Sequence, residues 1–409
     1  MRAVIWPLAG LTFVNAIDRA NLSFAAHAME QDIHLSPTSF GTAVGAFFLA
    51  YLLFQYPHAA LLRRFGIRRW LLCTVSLWGV AGLAMSRVNS LPELLTARFL
   101  LGVAEAGFAP GVTWYINRWF PQQARARAMA VVLSAVPASM VLGGPICGLI
   151  LDAPHPAGLS PWRWMFVLQA LPNFVLGLLA YAYFRDDVRE MPGVPADTPV
   201  AEGGQNAEPA NLGTFGPILR DARVWRCAFV WLFVMTGSYA LLFWLPQLVR
   251  QMMPGGSETL IGTVSALPQA GLIAGMLLVG RHSDHTGERL WHMGISAVIA
   301  GVALLIGAFM PIGWGAMALL VLTGGAIGAA QAVFWAIPAH LGIGQGRVSV
   351  QAIALISMFG TGGGILGPML IGVMKQATGG FAGALAVLAL MLVAGGVLIM
   401  PLRSKDKIA

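Results

Sequence analysis

The chain has 409 residues, of which 57% are hydrophobic and only 10% charged. Soluble domains carry about 25% charged residues, so this composition excludes an ordinary water-soluble enzyme and directs attention to membrane spans of ~20 apolar residues each. The net charge of +8 does not indicate nucleic acid, because the basic residues sit in short loops between apolar segments, where membrane topology accounts for them.

Apolar segments run over 4–28, 39–62, 70–87, 92–116, 126–150 and 163–184, and again over 225–249, 259–280, 291–310, 314–338, 349–374 and 381–402. Each is predicted to be a helix, because in lipid every backbone polar group needs a partner within the protein. The first segment carries Ala26-His27-Ala28, which mimics a cleavage site, but Asp18 and Arg19 interrupt its apolar run. It is therefore read as a retained span and not as a signal peptide. Between the two sets, residues 185–224 are rich in Pro, Gly, Ala and acids and read as a flexible linker. The expected organisation is a six-helix bundle at 1–184, a cytoplasmic linker at 185–224 and a second six-helix bundle at 225–409.

Charge orients the spans. Of the 25 Lys and Arg, nineteen fall on the side of the N-terminus, four on the other side, and Arg19 and Arg98 within spans. The positive-inside rule then puts both termini in the cytoplasm. Arg63, Arg64, Arg68 and Arg69, in the loop after the second span, are assigned to this topology and to helix-end contacts rather than to lipid recognition. Cys73, Cys147 and Cys227 have no metal-ligand spacing and read as packing residues.

An ionisable side chain at membrane depth costs a few kcal/mol and is a functional candidate by default. Four qualify: Asp18 and Arg19 on the first span, Arg98 and Glu105 on the fourth. Arg98 and Glu105 lie two turns apart, so they share one face at ~10 Å along the axis. An arginine fork suits an anionic carboxylate, and a carboxylate in low dielectric suits proton exchange near physiological pH. The competing reading is structural: ion pairs between helices, or an adjacent Asp18 and Arg19 that neutralise each other. Polar candidates of lower weight are Tyr51 and Gln55 on the second span. The second half has no charge in mid-span, so its share must be neutral: Tyr239, Trp244, Gln269, Gln331, Trp335, Ser357 and Thr361. No His-Glu-x-x-His, Gly-x-Ser-x-Gly or Gly-x-x-x-x-Gly-Lys-Ser/Thr motif is present, so neither an enzyme nor an ATP-driven pump is expected, and no cofactor or metal.

The halves repeat local signals. LLRRFGIRRW (61–70) and GRHSDHTGERLW (280–291) each follow the second span of their half. Gly144-Pro145 and Gly367-Pro368 each fall in its fifth. With Gly280, Asp284, Gly287 and Arg289 matching its signature loop, the chain resembles the major facilitator superfamily, although Ala59 and Arg63 depart from the loop's first copy. DRANLS (18–23), FGTAVGAFFLAYLLFQYP (40–57), ARFLLGVAEAGFAPG (97–111) and NRWFPQQARARAMA (117–130) narrow the resemblance to the anion:cation symporter family. That family includes permeases for galactonate, tartrate, phthalate and hexuronates. The resemblance implies twelve helices in two bundles around a cavity lined by helices one and four. It implies proton coupling at Asp18 and Glu105, anion recognition at Arg19 and Arg98, and substrate contact at Tyr51. Ser357 and Thr361 stand where the family often has Asn, which bears on the choice of anion. Asp284 and Arg289 are expected to brace the cytoplasmic gate, with Asp284 capping a helix start. The implied protein is a monomeric, multi-pass transporter of the bacterial inner membrane that takes up an organic anion with protons, or with sodium. The alternative within the superfamily is a proton-driven exporter of drugs or neutral metabolites.

Overall fold

The computed structural model describes residues 2–120, 122–156, 158–186, 215–343 and 347–402, and these are helical almost throughout, with no strand among them. The first helix, α1, covers Arg2–Asp32. The second, α2 (Pro37–Met85), has 49 residues. At 1.5 Å per residue it would be ~73 Å long, more than twice the ~30 Å hydrocarbon core, so it must hold two spans. The division is at Gly66, whose φ of 75° and ψ of 168° no L side chain adopts easily. This is the loop that carries the four arginines.

The fourth and fifth spans are each broken in two. α3 (Leu91–Glu105) gives way to α4 (Phe108–Trp119), and α5 (Gln122–Leu133) to α6 (Ala135–Asp152). In both cases a proline, Pro110 or Pro137, stands in the first turn of the second piece. Proline has no N–H to donate and its ring crowds the preceding turn, so it weakens the helix before it and is best placed in a first turn. α7 (Pro161–Tyr183) completes the first set. After the short α8 (Phe215–Arg220) come α9 (Ala222–Met252), α10 (Glu258–Thr286), α11 (Leu290–Phe309), α12 (Trp314–Phe334), the single turn α13 (Ile337–His340), α14 (Arg347–Thr378) and α15 (Ala382–Ile399). Ten stretches are long and apolar enough to cross a membrane. α2 supplies two spans from one of these, and α1, interrupted by Asp18 and Arg19, is not among the ten, so the spans number twelve as expected.

Two compact units divide the chain, one of residues 1–33 and 46–209, the other of 34–45 and 210–409. Most of the expected linker, 187–214, lies outside the described residues. In the first unit α1 packs on α5, α6 and α7. In the second, α10 packs on α12, α9 on α14, and α11 on α12 and α15. The opening residues of α2 belong to the second unit and lie on α14, where Gly41 faces the Pro368 carbonyl. Pro145 and Pro368 both stand inside their helices, α6 and α14; Gly144 is buried, and Gly367 lies close to the Thr236 carbonyl of α9.

Candidate functional site

Helical periodicity sorts the polar residues of α1 into two faces. Asn15 and Arg19 are one turn apart and point to α3. Asp18 and Asn21, also about one turn apart, point to α7. On the first face, Arg19 Nε donates to Glu105 Oε2 at 2.8 Å, and Asn15 Nδ2 donates to the same oxygen at 2.8 Å. Glu105 is fully buried and its second oxygen, Oε1, has no hydrogen-bond partner among the described residues. On the second face, Asn173 Nδ2 donates to Asp18 Oδ2 at 2.9 Å, and Asn21 Nδ2 donates to Gln169 Oε1 at 2.9 Å. Gln169 in turn points its amide at the Cys147 sulfur, at 3.2 Å. Asp18 and Arg19 therefore do not neutralise each other. Adjacent helix positions are separated by about 100°, and each side chain has a different helix for a partner.

Arg98 is 0% exposed. None of its three guanidinium nitrogens has a hydrogen-bond partner among the described residues. The Phe47 ring lies beside it, its centroid 4.9 Å from Cζ. The Arg19 guanidinium lies 4.7 Å from the Tyr51 centroid and 5.6 Å from that of Phe47. The Phe47 and Tyr51 rings stack at 5.9 Å. Two guanidiniums thus flank a short aromatic ladder on α2. Gly102 brings this about: one turn past Arg98, it lies so close to the Phe47 carbonyl that a Cβ there would overlap it. Arg98, Gly102 and Glu105 share a face at i, i+4 and i+7, so the glycine draws that face onto α2. α3 ends at Glu105, which puts the carboxylate at the break before Pro110.

A buried guanidinium without partners is expensive, because desolvation removes its hydration and nothing replaces it. Cation–π contact with Phe47 recovers only about 0.5–2 kcal/mol. The fork geometry of such a group suits an anion that can accept two parallel hydrogen bonds.

The other predicted residues fall into separate places. Gln55 is half-buried on α2. In the second unit, Gln331 donates to Ser238 Oγ at 3.0 Å, and the exposed Trp335 packs edge-on to Trp231 at 5.2 Å. Tyr239 is half-buried on α9 and Gln269 on α10. Thr361 gives its hydroxyl proton to the Ser357 carbonyl one turn back, at 3.2 Å, which ties that donor to its own helix. Trp244 is a correction. Its indole is fully buried, donates to the Pro368 carbonyl at 3.1 Å and packs on Phe40 and Phe381, so it serves helix packing and has no donor to offer a ligand.

Asp284 is corrected as well. It stays exposed at the end of α10 and pairs with Arg289 at 2.6 Å. The cap on α11 is Glu288, which accepts from the N–H groups of Trp291 and His292. Burial pushes the Glu288 carboxyl up, but those two N–H groups and the His292 ring outweigh it and hold it below the usual range. Among the cysteines, Cys147 and Cys227 are buried as expected for packing, but Cys73 is exposed.

Sequence reasoning missed Asn15, Phe47, Asn21, Gln169 and Asn173. Four are amides in apolar helices, and the test applied to Gln55 would have found them. Gln169 and Asn173 are one turn apart on α7, a polar pair facing α1.

The model of the Major Facilitator Superfamily matches residues 8–350. A protein of Agrobacterium vitis whose name assigns it to tartrate transport is 34% identical over 399 residues, 96% of this chain and 91% of that one. The quinolone resistance transporter of Acinetobacter baumannii is 31% identical over 400 residues, 95% of this chain and 90% of its own. Among solved structures, a bacterial homolog of the human lysosomal transporter Spinster superposes with a TM-score of 0.78 over 97% of this chain and 94% of that one, at 19% identity. The chain belongs to the Major Facilitator Superfamily and is a multi-pass membrane transporter, not an enzyme.

Proposed function

We propose that the protein is a secondary active symporter that takes up an organic carboxylate anion with protons across the bacterial inner membrane, both termini lying in the cytoplasm. The observation that carries this reading is Arg98, a fully buried guanidinium with no hydrogen-bond partner among the described residues, set beside an Arg19–Glu105 ion pair. With Glu105 ionised, Arg19 is occupied and only Arg98 faces an anion. A proton on Glu105 weakens that pair and lets the Arg19 guanidinium contribute to anion binding beside Arg98. Proton and anion then favour each other's binding, as linkage requires. Asp18, held by Asn173 rather than by a cation, offers a second protonation site. Alternating access about a midplane site completes the cycle. The relative named for tartrate transport supports the organic-anion class.

The test is a thermal-shift screen of the purified protein against sugar acids, aromatic acids and small dicarboxylates, repeated with Arg98→Ala. At least one carboxylate should stabilise the wild type, and the variant should lose about a hundredfold in affinity, for ~3 kcal/mol of charge-assisted hydrogen bonding. A screen in which no carboxylate stabilises the wild type overturns the anion reading. The second reading, a proton-driven drug exporter, rests on the quinolone resistance relative. It predicts stabilisation by drugs that survives Arg98→Ala.

A further inference from the structure

A cavity of about 810 Å³ lies in the first unit between the two arms of α2 and the helix α3, with Tyr181 of α7 at one end. Its walls are apolar and include Leu61, Phe65, Leu77, Val80 and Leu100, all of them exposed. It borders α2 from Arg69 to Ala84. These sixteen residues of helix span ~22 Å, more than the depth of one leaflet of a ~30 Å hydrocarbon core. The cavity starts at the arginine loop. Arg68 is already committed, its Nε donating to the Tyr181 carbonyl at 3.0 Å and its guanidinium stacked 4.8 Å from the Tyr181 ring. Arg63, Arg64 and Arg69 are exposed, and no ion pair holds any of them among the described residues. The carboxylate at this loop, Asp186, accepts from the Arg68 backbone N–H at 3.3 Å.

We propose that this groove is a binding site for an anionic phospholipid. One acyl chain fills the slot along α2, and the phosphate sits among Arg63, Arg64 and Arg69 at its mouth. An apolar slot of leaflet depth fits an acyl chain and offers nothing to a polar transport substrate. Arg69 lines the groove and Arg63 and Arg64 stand on the same loop, Arg64 over the Phe65 ring at 5.5 Å. These three cations, outside any ion pair among the described residues, select a negative headgroup over a zwitterionic one, each adding about 1 kcal/mol near a surface. Helix-end topology explains why arginines are present, but it does not explain a groove that begins at them. Cys73, the exposed cysteine, lines the same groove, so a large side chain there would block it.

Native mass spectrometry of the full chain released from nanodiscs of equal phosphatidylglycerol and phosphatidylcholine tests the site. The wild type should retain phosphatidylglycerol preferentially. R63Q/R64Q/R69Q should lower that retention by about fivefold per arginine removed and leave phosphatidylcholine unchanged. Cys73→Trp should lower retention of both lipids. R69Q alone, at an exposed position, gives the single step if the triple variant does not fold. Equal retention of the two lipids by the wild type overturns the proposal, as does a folded triple variant that keeps its phosphatidylglycerol. Loss on arginine removal with full retention by Cys73→Trp also overturns it, because the lipid would then be held by its headgroup outside the groove.

Discussion

The two units of this transporter solve the problem of packing helices in lipid differently. In the first, Asp18, Arg98 and Glu105 are buried, and most of the closely packed glycines face side chains, Gly102 on the Phe47 carbonyl excepted: Gly107 meets the His58 ring and Gly111 the Trp70 ring. In the second, the buried polar side chains among the described residues are neutral, namely Thr236, Ser265, Ser283, Ser296, Thr323 and Gln351. There most of the closely packed glycines face backbone, although Gly360 meets the Trp231 ring and Gly237 the Leu392 side chain: a Cβ on Gly275 would overlap the Gly325 carbonyl, one on Gly301 would lie 2.5 Å from the Ala389 carbonyl, and one on Gly363 2.7 Å from the Thr236 N–H. Without a hydrophobic drive between helices, close backbone approach is a principal source of association in lipid. The first unit gives up part of that packing to hold charge. Its stability and its function should therefore separate under mutation, whereas in the second unit substitution at the glycine contacts should act on stability alone.

The largest effect is expected at Arg98. Removing a buried, unpartnered charge with an apolar side chain of similar length should leave the protein as stable or more so, by about 1–4 kcal/mol, while carboxylate binding is lost. Thermal unfolding of Arg98→Met in detergent, with and without the best carboxylate, reads both. A destabilisation of several kcal/mol would mean that Arg98 is half of a structural ion pair, and the contrast between the units would fail.

The second unit provides the opposite case. Gly275→Ala should destabilise by about 1–3 kcal/mol, because α10 and α12 have to move apart. Gly280→Ala, whose Cβ would meet only the Ala332 methyl at an ordinary 3.5 Å, should be tolerated. Equal unfolding temperatures for the two variants would remove backbone approach as the distinguishing feature of this unit.

The smallest effect lies at the end of α1. The Ser160 hydroxyl and the Trp162 indole, the latter at 2.7 Å, both donate to Asp32, and these bonds hold its carboxyl below the ordinary carboxylate range. A depressed native value stabilises at neutral pH, and that contribution is lost as pH falls through it, below about 4. Asp32→Asn should flatten this acid limb in a pH series of unfolding temperatures, by at most ~1 kcal/mol because the site is open to solvent. An unchanged acid limb would show that the contacts of Asp32 contribute nothing.

Much of the fold was legible in the sequence because lipid allows few alternatives. Twenty apolar residues must be a helix, and the twelve segments correspond to twelve spans. The breaks in the fourth and fifth spans were not marked, although Pro110 and Pro137 stand beside them; prolines inside other helices of this chain, such as Pro145 and Pro368, leave the helix unbroken, so proline alone does not announce a break. The charged members of the candidate site were legible because charge at membrane depth is conspicuous. Their partners were not, since choosing between Asp18–Arg19 and Arg19–Glu105 needs the direction of each side chain around α1. Trp244 misled because an indole serves a binding site and a packed core equally well, and only its bond to the Pro368 carbonyl distinguishes them. The lipid groove is invisible in sequence, being made of α2, α3 and α7 together.

The central claim is that the buried charges of the first unit link proton to anion through Glu105. It is tested most directly by uptake into proteoliposomes under an imposed pH gradient, comparing wild type with Glu105→Gln and using the carboxylate that best stabilises the protein. Glu105→Gln should lose gradient-driven accumulation but keep counterflow exchange of labelled for unlabelled anion. Accumulation by Glu105→Gln that still follows the pH gradient as in wild type would contradict it.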